Sequence, residues 1–164
     1  MSKRFNLREF QQGLLDRMQV QAESGTQVAT LGFVIGRENW LVDMDDISEV
    51  LAVPDLTVVP LTRRWYCGVA NVRGNIYSIT DLAAYMELGA TVHDAQSRVL
   101  LLGQKLNSNI GLLVSKVLGL RNIKDWQQSE QNGEPVYEDS AGKQWRKLDV
   151  KKLIQQPEFI QIGV

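Results

Sequence analysis

One cysteine, Cys67, stands among 164 residues. No internal disulfide can form, and such usage fits a reducing compartment. There is also one histidine, His93, inside the polar run 89–97. A zinc site of ordinary Cys/His spacing therefore cannot be built. His93 reads as a surface-loop residue. Cys67 has no base near it in sequence to hold a thiolate, and reads as a small buried hydrophobe. The 13 glycines are scattered singly, so no phosphate-cradling loop occurs. A net charge of −1 leaves no electrostatic footprint for nucleic acid. No apolar run approaches the ~18 residues of a membrane helix. The start, MSKRFNLREF, lacks the apolar core of a signal peptide. The expectation is a cytoplasmic protein with no direct membrane insertion.

What is present is ordinary in bulk and informative in pattern. Hydrophobic residues at 44% and charged residues at 23% suit a soluble globular chain. The length suits one domain, or two small subdomains sharing a core. Leu7, Phe10, Leu14 and Met18 form one helical stripe over residues 5–20, with Asn6 and Glu9 as a capping box. The polar stretch 21–27 then separates a helical extension, residues 1–25, from a main domain, 26–164. Short Val- and Leu-rich segments follow at 28–35, 40–42, 98–103, 110–114 and 116–120. Pro54 and Pro60 bracket an extended segment, because proline and the residue before it avoid the helical region. Many short strands at this spacing predict a barrel or sandwich. Val42, Met44, Ile47 and Val50 share their spacing with Leu112, Val114, Val117 and Leu120, offset by seventy residues. Two similar halves would produce that repeat. Residues 127–135 read as a loop, 136–137 and 144–148 as a hairpin, and Asp149 as the cap of a short helix that Pro157 ends.

The most informative stretch is 68–82, GVANVRGNIYSITDL. It predicts two strands around a Gly74-Asn75 turn, then a helix over 81–88 capped by Asp81 and stopped by Gly89. Arg73 at the hairpin end can reach a partner's carboxylate, or pair internally with Asp81. Arg63, Arg64, Trp65 and Tyr66 are types enriched at interface hot spots, with a place in the core as the alternative for the two aromatics. Asp43, Asp45 and Asp46 could hold a hard cation, but they lack the Gly and terminal Glu of a calcium loop. The plainer expectation is that they start one helical turn before Ile47.

The ordered residues Gly68, Val69, Asn71, Arg73, Gly74, Ile76, Asp81 and Leu82 resemble the signature of the chemotaxis coupling-protein family. Ser78 stands where that family usually has proline. The likeness covers roughly residues 27–126. It implies a mainly β fold of two small SH3-like five-stranded barrels with short helices, and no catalysis, cofactor or metal. The partners it implies are the regulatory domain of a histidine kinase and the cytoplasmic tip of a methyl-accepting-type chemoreceptor, which would recruit the protein to the inner face of the membrane. Carried over, the receptor-facing residues are Ile47 and Glu49, although the basic residue that usually follows is replaced by Leu51-Ala52. Val72, Arg73 and Trp65 complete the expected partner-binding set. The N-terminal stripe, together with Tyr137, Gly142, Trp145, Arg146, Leu148, Asp149, Leu153, Pro157 and Phe159, resembles the branch serving type IV pili and twitching motility. Two alternatives are the regulatory module of a chemotaxis-type kinase, and a small metal- or carboxylate-dependent enzyme using the Asp43 cluster. The helical extension and the tail argue against a kinase fragment.

Overall fold

The computed structural model describes residues 29–106 and 109–164. The expected helix over 6–20, and the extension 1–25 that contains it, lie outside the described residues. The chain opens with an antiparallel pair, β1 (Thr30–Ile35) and β2 (Glu38–Asp43). A single 3-10 turn, Met44–Asp46, leads into β3 (Ile47–Ala52), as the acidic run predicts. The proline-bracketed segment runs without a regular strand to β4 (Tyr66–Val72). Then come β5 (Asn75–Asp81), helix α1 (Leu82–Tyr85), β6 (Arg98–Leu102), β7 (Ile110–Val114) and β8 (Lys116–Arg121). The tail adds β9 (Gln127–Gln131), β10 (Glu134–Glu138), β11 (Gln144–Lys147), α2 (Val150–Ile154) and α3 (Pro157–Ile160).

The strands form two sheets, ordered β8-β1-β2-β11-β10-β9 and β3-β6-β7-β5-β4. The chain crosses from the first to the second between β2 and β3, and returns between β7 and β8. These two crossings are the two copies of the seventy-residue repeat. All eight repeat residues meet in one apolar cluster: Val42, Met44, Ile47, Leu112 and Val114 within it, Val50, Val117 and Leu120 packed against it. Neither sheet has its own core there, so the halves share one. A smaller cluster inside the second sheet holds Ala70, Ile79, Val99, Leu101 and Leu113.

Four expectations need correction. The hairpin turn is Arg73-Gly74, with φ of 52° and 86°, and Asn75 already pairs with Val72. Residues 127–135 are not a loop. Asn132-Gly133, with φ of 54° and 78°, is a two-residue hairpin turn that pairs the polar strand β9 with β10. The first sheet consequently has six strands, while the second has the expected five. Helix α1 stops at Tyr85, earlier than residue 88. Pro157 opens α3 rather than ending α2, since its fixed φ and missing N–H suit a first helical position.

Candidate functional site

The hairpin β4–β5 is built by backbone chemistry that accounts for most of its sequence signature. Gly68 has a φ of 125°, and a Cβ there would lie 2.2 Å from the Thr57 carbonyl oxygen. That approach lets Thr57 and Val69 exchange backbone hydrogen bonds of 2.8 and 2.9 Å, which hold the chain at Thr57 against the outer side of β4. Asn71 closes the turn, its Oδ1 accepting from the Gly74 N–H at 2.8 Å. Asp81 caps α1 through the Ala84 N–H. Its carboxylate, buried, also accepts from the Thr91 N–H at 2.8 Å and the Thr91 hydroxyl at 2.6 Å. Leu82 is fully buried in the shared core.

Arg73 shapes the hairpin turn with its backbone, while its side chain is free of such duty. It is exposed at the turn and forms an ion pair with Glu49, not with Asp81. Glu49 holds the guanidinium above its ordinary pKa, first through their hydrogen bond and then through its charge. The pair also reports the shape of the second sheet. β3 and β4 are its two outer strands, yet Glu49 on β3 touches Arg73 at the end of β4. Leu51 and Val53 pack on the same cluster as Cys67 and Val72. The sheet is thus rolled until its two edges meet, as a small barrel requires. Val72 is half-buried at this seam, and Ile76 beside the turn is exposed.

The other expected site residues are placed differently. Ile47 points into the shared core at 3% exposure. A bulge at Ser48 separates it from Glu49 in the pairing with β6. Trp65 lies at the opposite end of β4 from Arg73, roughly 25 Å along a seven-residue strand at ~3.3 Å per residue. It stacks on Phe159 of α3 with ring centroids 6.0 Å apart, and Tyr85 of α1 meets both rings edge-on at 5.1 Å. Glu49, Arg73 and Val72 therefore come together, and Trp65 does not join them.

The Asp43 cluster does not converge either. Asp43 faces Lys147 with Oδ1 and Nζ 3.0 Å apart, Asp46 faces Lys105 at 3.5 Å, and Asp45 is exposed. An open cleft of about 1020 Å³ passes these residues, lined by Trp40, Tyr85, Arg146 and Lys151 among others, and includes none of the expected partner-binding residues. Residues the sequence reading passed over are Thr57 and Thr91, which no local pattern marked, whereas Asn71, already part of the signature, proves to be the residue that closes the turn.

The profile of the CheW-like domain matches residues 29–158. The chain belongs to the CheW-like family. Among relatives, Protein PilI of Pseudomonas aeruginosa is 32% identical over 103 residues, 63% of this chain. That alignment spans 57% of PilI, little more than half its length. Chemotaxis protein CheW of Thermotoga maritima is 29% identical over 108 residues, 66% of this chain and 70% of that protein. The crystal structure of scaffolding protein TtCheW from Thermoanaerobacter tengcongensis superposes with a TM-score of 0.67, covering 79% of this chain and 94% of that one. At 19% identity this likeness shows the CheW-like fold alone.

Proposed function

We propose that the chain is a non-catalytic adaptor that couples a chemoreceptor to a histidine kinase in a chemosensory pathway, and that the pathway controls type IV pili and twitching motility. Membership of the CheW-like family carries the adaptor reading, and the likeness to PilI favours the pilus pathway. The kinase's regulatory domain and the receptor's cytoplasmic tip are the partners, meeting the protein on the cytoplasmic side of the membrane. Among the described residues no helix is long and apolar enough to cross a membrane. The partner surface centres on the barrel seam, where Glu49 stands on β3 and Arg73 on the tight turn between β4 and β5. A rigid frame loses little entropy on binding.

Glu49→Lys and Arg73→Glu test this reading. Exposed ion pairs contribute about 0.5 kcal/mol, so each variant should melt close to wild type. Each should weaken a partner roughly tenfold or more, through lost pairing and like-charge repulsion. Glu49→Lys should act chiefly on the receptor tip, and Arg73→Glu on both partners. Titration against purified kinase regulatory domain and receptor tip measures this. Normal binding of every partner by both variants would remove the seam as the binding surface.

A further inference from the structure

Among the described residues the two sheets have four outer strands, β8 and β9 in one, β3 and β4, which meet at the seam, in the other. An outer strand presents a row of unpaired N–H and C=O groups. Proteins blunt such rows with bulges, basic side chains, prolines or a covering segment. Three of the four are blunted here. β8 is bulged at Leu118, which has no partner between Val117 and Gly119, and Lys116 and Arg121 stand at its ends. β3 is bulged at Ser48, and Arg73 reaches across to its Glu49. β4 is bulged at Cys67 and covered by Thr57.

Among the described residues β9 has none of these devices. Its register with β10 runs unbroken from Gln127↔Glu138 to Gln131↔Glu134. Its sequence, QQSEQ, contains no Lys, Arg or Pro, and all five residues are exposed. The Asn132-Gly133 turn makes Gln131 and Glu134 a pair that exchanges both hydrogen bonds. Alternation then directs the backbone groups of Gln127, Ser129 and Gln131 toward β10. Those of Gln128 and Glu130 point outward.

We propose that β9 is a self-association strand, on which two copies of this chain join antiparallel about a two-fold axis through Ser129. Centred there, Gln128 of each copy faces Glu130 of the other, so the outward groups are the ones that exchange hydrogen bonds. Ser129 faces its counterpart, and Gln127 faces Gln131, with no like charges opposed. A shift of one residue sets outward groups against inward ones. A shift of two sets Glu130 against its own counterpart, or leaves Gln128 paired only with itself. The sequence thus selects one register, and the contact is self-complementary, as a closed dimer needs.

Sedimentation velocity at rising concentration, into the millimolar range, should show a monomer–dimer equilibrium whose limiting mass is twice the 18.5 kDa chain. Ser129→Lys opposes two like charges across the axis and should abolish the dimer. Glu130→Pro should do the same, since it removes an outward N–H and leaves the bonds to β10. Circular dichroism checks that both variants keep the fold. In a Cys67→Ala background, Ser129→Cys should form an intermolecular disulfide on oxidation. A non-hydrogen-bonded pair brings Cα atoms to about 4.5 Å, within disulfide reach. Gln131→Cys, which faces Gln127, should not. A chain that stays monomeric, a dimer indifferent to both edge variants, or equal cross-linking by the two cysteine variants overturns the proposal.

Discussion

Cys67 shows how one residue's chemistry is set by its place in a strand. It is the bulged residue of β4, half-buried against the inner cluster of the rolled sheet. Burial first, and then the charge of Asp81, push its thiol up to about 12 from 9.0. A thiol held protonated is a poor nucleophile, so native protein at pH 8 should react with a disulfide reagent far more slowly than protein in urea. The sign of the pH effect follows. Below pH 9 both states keep the proton; above it the unfolded chain releases the proton while the folded chain holds it, so stability declines between 9 and about 12. Urea midpoints over that window should fall less steeply in Cys67→Ala. Equal slopes would show that the thiol does not titrate as its surroundings dictate.

At the scale of an element, Asp81 is more than the helix cap that its position before Leu82 predicts. A helix of one turn has little stability of its own. The same carboxylate ties α1 to Thr91, ten residues on, by two hydrogen bonds in a buried setting. Loss of a cap costs about 1 kcal/mol, and each buried donor left without an acceptor about 1–3 kcal/mol. Asp81→Ala should therefore destabilise by at least about 3 kcal/mol in urea unfolding. Asp81→Asn turns an amide NH₂ toward the Thr91 N–H and should recover only part of that loss. A cost near that of an ordinary cap would mean that the Thr91 contacts contribute nothing.

For the whole molecule, the exchange of strands between halves decides how it unfolds. The shared cluster draws Phe33, Trp40 and Val42 from the first sheet, Leu100, Leu102 and Leu112 from the second, and Leu148, Leu153 and Phe159 from the tail. No half can open without exposing apolar surface of the other. Leu112, on β7 and fully buried, should cost about 3 kcal/mol when truncated to alanine. The loss should shift tryptophan fluorescence and far-ultraviolet circular dichroism together. Two separated transitions would show that the sheets are independent units.

Local chemistry was legible in the residues themselves. Strand periodicity placed most strands, Asp81 and Asp149 announced their helix starts, and the ordered signature from Gly68 to Leu82 pointed to the family. Those signals act over a few residues, where turn geometry, capping and alternation leave few options. The sequence also contained the Asn132-Gly133 turn, but β9 has no apolar face, so hydrophobic alternation could not reveal it. What no local pattern carries is which distant groups meet. Arg73 had a carboxylate eight residues away in Asp81, yet its partner is Glu49, because rolling the five-stranded sheet brings its two edges together. Ile47 and Glu49 are neighbours in sequence, but the Ser48 bulge and the shared core bury one and leave the other at the seam. Trp65 was drawn away from the seam by Phe159, a residue ninety-four positions later that only the folded tail brings to it. Pairing across such distances is decided by closure of the sheets and burial of the common core, which act on the chain as a whole.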